Sequence, residues 1–346
     1  MTTTGPIRVL IVDDSAFARK VVREILSDGS GVEVVGSARD GEEALELTAK
    51  LSPDVIICDL RMPRMDGVHF VRTQMGVRPL PIMILSAVAQ DADEVVEALN
   101  AGAIDVVQKP TALATDDLRM VREELIQKVR GAVTAPVENL ARAPAASHAV
   151  AAPERVAKAK IVVVGISTGG PQALRRMVPL LPHGFPVPVA IVLHMPIGYT
   201  ALYAEKLNEI CMLTVKEAAE GDVLVPGRVL IAPAGRHLAF RRTPTGEVVA
   251  QLRVQPLEKL HRPSADVLFR SAAEVYGGAV VAVVMTGMGD DGTEGAAWVK
   301  AQGGTVLTEA EQSCVIYGMP RAVVEAGLSD LVVPLDDMAQ AITSQI

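Results

Sequence analysis

Short β-branched apolar runs alternate with helix-length amphipathic stretches through the first 130 residues of the chain. The runs at 7–12, 32–37, 55–59, 82–85 and 103–108 read as buried strands. Each is followed by a stretch with helical spacing, at 16–26, 42–51, 68–75, 92–101 and 116–129. Five successive βα units predict a flavodoxin-like five-stranded parallel sheet with helices on both faces. The alternation stops at 131–159, where 11 alanines and 3 prolines carry no sustained apolar period. That stretch reads as a tether, spanning about 30 Å if flexible. From residue 160 the pattern resumes. Runs at 161–164, 189–193, 229–231 and 279–285 look like buried parallel strands of a second, doubly wound α/β domain, with 247–254 as an antiparallel or edge excursion. The expected organisation is therefore a domain over 1–130, a linker over 131–159 and a second domain over 160–346.

Composition narrows the function classes. No apolar run approaches the ~18 residues of a membrane span, and the first residues lack a signal peptide's basic region and cleavage site, so a cytoplasmic protein without membrane insertion is expected. The net charge of −8 is spread as −6, +1 and −3 over the three segments, without the basic excess of a nucleic-acid binder. Cys58, Cys211 and Cys314 are too far apart for a zinc pattern and odd in number, and read as small core residues.

In an open parallel sheet, ligands bind beyond the carboxyl ends of the strands. In the first domain those ends carry Asp13-Asp14, Asp59, Ser86 and Lys109-Pro110. Three carboxylates on one rim favour a hard divalent cation, Mg²⁺ above all. With the metal offsetting charge, Asp59 is placed to accept a phosphoryl group that Ser86 and Lys109 would contact. "VDDS" (12–15), "DLRMPRMDG" (59–67), "LSA" (85–87) and "KP" (109–110) resemble the response-regulator receiver family. The resemblance implies phosphorylation of Asp59 by a histidine kinase, Mg²⁺ on Asp13, Asp14 and Asp59, and phosphoryl sensing by Ser86 and Lys109. Lys109-Pro110 is a candidate cis peptide.

The second domain offers a different chemistry. "GISTGG" (165–170) follows a strand and precedes a helix opening at Pro171. It lacks the lysine and spacing of a phosphate loop, and its glycines suit a nucleophile turn instead. Gly165 would allow a tight turn, Gly169 and Gly170 would let substrate approach the backbone, and the N–H groups of the helix start would face an oxyanion. His194 ends the run 189–193, while His183 and His237 fall in expected turns. "TGMGDDG" (286–292) ends a third strand with Asp290 and Asp291. Serine, histidine and aspartate thus converge on one rim. "GISTG" also fits the nucleophile elbow of α/β-hydrolases, with Asp222 and His261 as acid and base, although neither follows a long strand signal.

"GISTGGP" (165–171), "HMP" (194–196), "HRPSADVLF" (261–269) and "TGMGDDG" resemble the catalytic domain of the chemotaxis protein-glutamate methylesterase (CheB) family. The resemblance implies Ser167 as nucleophile, His194 as general base and Asp291 as orienting acid, with Thr168 and Met288 lining the site. It implies hydrolysis of glutamyl methyl esters on chemoreceptors, deamidation of receptor glutamines, and no cofactor for the ester chemistry. Asp290, beside Asp291, departs from the family's usual asparagine and leaves a rival for the orienting role. "HRPSAD" itself reads as a helix start, with Ser264 as N-cap and Asp266 in the first turn. The architecture predicts an esterase held at low activity by the unphosphorylated receiver and released by aspartyl-phosphate formation, in a monomer. Two alternatives are a receiver-controlled esterase or amidase with another substrate, and a non-enzymatic signalling adaptor.

Overall fold

A computed structural model of the chain describes residues 5–27, 31–86, 91–109, 115–133 and 159–346. The chain divides into two compact units, Met1–Arg142 and Ala143–Ile346. Ala87, the Lys109-Pro110 bond and residues 134–158 of the expected tether lie outside the described residues.

In the first unit the strands are β1 (Ile7–Val12), β2 (Val32–Ala38), β3 (Val55–Asp59), β4 (Ile82–Ser86) and β5 (Asp105–Gln108). They pair in parallel in the order β2-β1-β3-β4-β5, as the βα alternation predicts. β3 and β4 are buried along their whole length because helices cover both faces, which is why their sequences are unbroken apolar runs rather than alternating ones. The helices are α1 (Ala16–Ser27), α2 (Gly41–Leu51), α3 (Gly67–Val77), α4 (Ala92–Asn100) and α5 (Thr115–Ala132). Asp40 and Asp66 start α2 and α3 by accepting the N–H groups of Glu43 and His69 at 3.0 and 2.8 Å, satisfying helix-end donors that would otherwise lack a partner.

The second unit holds a seven-stranded parallel sheet: β6 (Ile161–Ile166), β7 (Val189–Leu193), β8 (Thr214–Glu217), β9 (Arg228–Ile231), β12 (Val280–Val284), β13 (Thr305–Glu309) and β14 (Leu331–Val333). Their order is β14-β13-β12-β6-β7-β9-β8. The chain leaves β6 in one direction, through β7 and β9, and returns on the other side at β12. The crevice between β6 and β12 is therefore the point where strand order reverses, the place such sheets bind ligands. The antiparallel excursion expected at 247–254 is β11 (Val248–Arg253), paired with β10 (His237–Arg242) in a separate two-stranded sheet. His237, expected in a turn, instead opens β10, fully buried, with its ring Nε2 donating to the Pro256 carbonyl at 3.0 Å.

The helices of this unit are α6 (Gly170–Met177), α7 (Thr200–Asn208), α8 (Ala265–Tyr276), α9 (Thr293–Ala301), α10 (Met319–Glu325) and α11 (Leu335–Thr343). Leu268 and Phe269 of α8 pack with Val163, Val192, Val284 and Phe240 in the main apolar core. That packing fixes the start of α8 against the ends of β6 and β12.

Candidate active site

At the carboxyl rim of the first sheet, carboxylate oxygens of Asp13, Asp14 and Asp59 lie within 4.8 Å of one another. The Lys109 ammonium bridges two of them, 2.9 Å from Asp13 and 2.8 Å from Asp59. Burial pushes the Asp59 carboxyl up and Asp13 adds to it, while Lys109 opposes them. Burial likewise works against the Lys109 charge, but the two carboxylates raise its pKa overall. A three-carboxylate set whose charge one lysine only partly neutralises fits a hard, oxygen-liking divalent cation. Ser86 ends β4 in the adjacent position, where its hydroxyl donates to Asp91 at 3.0 Å, and Asp91 in turn pairs with Arg61 at 2.9 Å.

The second site is built from the ends of β6, β7 and β12. Ser167 follows β6, and its N–H donates to the Thr286 carbonyl at 2.9 Å. The hydroxyl of Thr286 donates to the Thr168 carbonyl at 2.9 Å, so Thr286 holds the serine turn at two points. The glycines act differently from the expectation that they clear room for substrate. Gly165 lies inside β6, where a Cβ would come 2.6 Å from the Cβ of Ala265 at the start of α8. Gly169 has φ +80° and faces Val315, and a Cβ on Gly170 would meet Leu193 at 2.6 Å. They are small because the chain's own strands and helices converge there. The Gly170 N–H is also committed, donating to the Ser167 carbonyl at 2.7 Å. Pro171 does sit in the first turn of α6, as expected.

His194 directly follows β7, its N–H donating to the Ile166 carbonyl at 3.1 Å. Its ring Nε2 lies 2.9 Å from Asp291 Oδ2, and its buried Nδ1 has no hydrogen-bond partner among the described residues. A carboxylate can only accept here, so Nε2 carries the proton and Nδ1 holds the free lone pair. His261 stacks on this ring, centroids 4.2 Å apart and planes 20° apart.

Asp291 is held by far more than the histidine. Ser264 Oγ donates to Oδ1 at 2.7 Å, and the N–H groups of Ala265 and Asp266 donate at 2.7 and 3.1 Å. The carboxylate therefore sits on the N-terminus of α8, where unpaired N–H groups and the helix dipole favour a negative charge. Burial would raise its pKa, but the His194 imidazole and then Ser264 and the α8 amides hold it well below the usual carboxylate range. Asp266 returns the arrangement, accepting from the N–H groups of Gly292 and Gly295 at 2.9 and 2.8 Å at the start of α9. Ser264 is thus the α8 N-cap by position, as expected, but its side chain serves Asp291 rather than its own helix. Asp290 is exposed, contributing its carbonyl to Thr293 N–H at 3.0 Å.

Gly287 packs directly on the serine, since a Cβ there would lie 2.7 Å from Ser167 Cβ. Met288, half-buried, follows it. The hydrolase pairing of Asp222 with His261 does not form: Asp222 pairs with Lys216 at 2.9 Å and accepts the Ala219 N–H at 2.8 Å.

A phosphoacceptor-type carboxylate rim in one unit and a serine-histidine-aspartate rim in the other define a receiver-bearing α/β hydrolase. The comparisons agree with that division. Residues 162–342 match the family model of the CheB methylesterase, and residues 9–121 that of the response regulator receiver domain. The protein-glutamate methylesterase/protein-glutamine glutaminase 5 of Myxococcus xanthus is 51% identical over 98% of this chain and 97% of its own. The protein-glutamate methylesterase/protein-glutamine glutaminase of Halalkalibacterium halodurans is 42% identical, with 98% of both chains covered. The crystal structure of the Thermotoga maritima CheB methylesterase catalytic domain superposes on 55% of this chain and all of its own, with TM-score 0.53 and 42% identity. The chain belongs to the CheB methylesterase family, with an N-terminal receiver domain.

Proposed function

We propose that the protein is a receiver-controlled serine esterase that hydrolyses glutamyl methyl esters on chemoreceptors, with deamidation of receptor glutamines as a second acyl transfer at the same site. The observation that carries the reading is the 2.9 Å contact of His194 Nε2 with a charged, helix-anchored Asp291, which leaves His194 Nδ1 as the base nitrogen.

Ser167 Oγ attacks the ester carbonyl as its proton passes to His194 Nδ1, giving a tetrahedral oxyanion and an imidazolium paired to Asp291. The Met288 N–H, beside Ser167 through Gly287 and without a protein acceptor among the described residues, is the oxyanion donor, with the positive end of α6 adding to it. The intermediate collapses as Nδ1–H protonates the leaving methoxide, which departs as methanol. Water then attacks the acyl-serine with its proton going to Nδ1, and Ser167 leaves with that proton restored. In deamidation ammonia takes the place of methanol. Thr168 lines the site and holds the turn through Thr286.

In the receiver, Asp59 accepts a phosphoryl group from a histidine kinase and Lys109 and Ser86 contact it. Asp13, Asp14 and Asp59 would hold Mg²⁺, which would supply positive charge to offset that of the phosphoryl group. Phosphorylation shifts the population toward the active esterase. Among the described residues no helix is long and apolar enough to cross a membrane, and we place the enzyme in the cytoplasm, acting on the cytoplasmic part of its receptors.

The test uses the purified full chain with methyl-labelled receptor membranes. Volatile methanol should be released, more of it with a small-molecule phosphodonor and none with Ser167→Ala. Labelled receptors left intact under all conditions would point to another ester or amide substrate or to an adaptor.

A further inference from the structure

One buried ionisable group beneath the serine turn has no part in the mechanism above. Glu309, the last residue of β13, is fully buried. It accepts the Thr286 N–H at 2.9 Å and the Ser313 hydroxyl at 3.0 Å. Thr286 is the residue whose carbonyl receives the Ser167 N–H and whose hydroxyl holds the Thr168 carbonyl. Two hydrogen-bonded links in series therefore run from β13 to the serine turn: Glu309 fixes Thr286, and Thr286 fixes residues 167 and 168, the turn that carries Ser167 Oγ. We propose that Glu309 is a positioning residue for the esterase, acting on Ser167 through Thr286. The proposal rests on the reading of Ser167 as nucleophile.

A buried carboxyl is costly here unless it serves the backbone it holds. Among the described residues, the charged and titratable groups around it offer no dedicated counter-ion. Arg176 of α6 acts on it through space but is itself paired with Asp336 of α11. Cys314, in the segment after β13, also lies beside the carboxyl. Burial pushes the Glu309 carboxyl up to about 7. The neutral acid is accommodated locally: it can donate to Ser313 Oγ, whose own hydrogen then turns to the Ala310 carbonyl at 3.1 Å, while the other oxygen keeps the Thr286 N–H. A glutamine reproduces that pattern with its amide oxygen and NH₂. Alanine leaves the Thr286 N–H buried and unpaired.

Three full-length proteins separate these cases: wild type, Glu309→Gln and Glu309→Ala. Two readouts apply. The first is the rate at which a small fluorophosphonate labels Ser167, displacing fluoride as the Oγ–P bond forms and the serine proton passes to His194. The second is kcat and KM for methanol release from methyl-labelled receptors. Glu309→Ala should label roughly 10-fold more slowly, with kcat reduced by a similar factor and KM unchanged, because the N–H it orphans belongs to the turn and not to the substrate surface. Glu309→Gln, which keeps an acceptor for the Thr286 N–H, should label within about threefold of wild type. Wild-type labelling by a folded Glu309→Ala, or Glu309→Gln as slow as Glu309→Ala, overturns the proposal. If Glu309→Ala does not fold, Glu309→Leu, which fills the space but offers the Thr286 N–H no acceptor, takes its place: slowed labelling supports the role and wild-type labelling refutes it. Ser167 labelling without methanol release from any of the three would refute the proposed substrate while the labelling rates still judge Glu309.

Discussion

Asparagine at position 291 would keep the size of the side chain and remove what the site needs from it. Two oxygens of Asp291 accept four hydrogen bonds, from His194, Ser264 and the N–H groups of Ala265 and Asp266. Asparagine has one oxygen and one NH₂, so whichever way it lies, the NH₂ faces two donors. If the NH₂ faces His194, the imidazole must turn its lone pair to Nε2 and put its proton on Nδ1, the nitrogen meant to take the proton of Ser167. If it faces Ser264 and the Asp266 N–H, the start of α8 loses two charge-assisted bonds, each about 1.5–3 kcal/mol. In either orientation the imidazolium formed in the transition state has lost its counter-charge. Trapping the wrong tautomer in a serine triad costs about 10⁴ in kcat, so a fall of roughly 10³–10⁴ is expected, equivalent to about 4–5.5 kcal/mol. Asp290→Asn, whose side chain is exposed, should stay within about twofold. The assay is methanol release from labelled receptors at saturating substrate across pH 6–9, with thermal unfolding to check that both variants fold. A larger loss from Asp290→Asn, or an Asp291→Asn enzyme within tenfold of wild type, would refute the assignment of the orienting carboxylate.

The same site sets other expectations. Ser264→Ala removes a single 2.7 Å bond to a charged carboxylate and should lower kcat by about 10-fold, measured in the same assay, with far less loss than Asp291→Asn. Gly287→Ala would place a Cβ 2.5 Å from the Met319 sulfur and 2.7 Å from Ser167 Cβ, so fluorophosphonate labelling of Ser167 should slow strongly while the sheet content, read by circular dichroism, is retained. Glu309 ties stability to pH. Its pKa is raised on folding from the ordinary 4.5 to about 7, so the folded state binds its proton more tightly. The associated stability is present below pH 4.5 and is lost as pH rises through 7, about 3 kcal/mol in all. Chemical denaturation of Glu309→Gln at pH 5 and pH 8 should show this slope missing relative to wild type.

In the first unit β1, β3 and β4 were legible because they are largely or fully buried and therefore spell themselves as apolar runs, β1 and β3 with their observed ends, while the outer strand β2 is mostly half-buried and carries Glu33, Gly36 and Ser37. In the second unit β6, β7, β9 and β12 were legible for the same reason. β8 and β14 were not, because they are the outer strands: Thr214–Glu217 carries a lysine and a glutamate, and Leu331–Val333 is three residues long. β13 was missed although it is buried, since it ends in Thr308 and Glu309 and its polar residues mask the run. The proposed trio of Ser167, His194 and Asp291 could be picked out because each member stands just beyond a strand the pattern reveals. Its supports could not. Ser264 and the α8 amides reach Asp291 across 25 to 27 residues of chain, and nothing local in "HRPSAD" separates a serine that caps its own helix from one that serves a carboxylate elsewhere. The reason for the glycines of "GISTGG" was also hidden, because their neighbours Ala265, Val315 and Leu193 come from three distant parts of the chain. His261 was visible as a histidine, but only the fold stacks it on His194.

The most direct test of the account is to trap the acyl-enzyme. Full-length protein, with a phosphodonor, is mixed with receptor membranes bearing glutamyl methyl esters, quenched in acid within milliseconds to seconds, digested and read by mass spectrometry. The account predicts a receptor-derived acyl group on the peptide containing Ser167, accompanied by a burst of methanol and absent in Ser167→Ala. Methanol release that persists in Ser167→Ala, or an acyl group on any other residue, would contradict it.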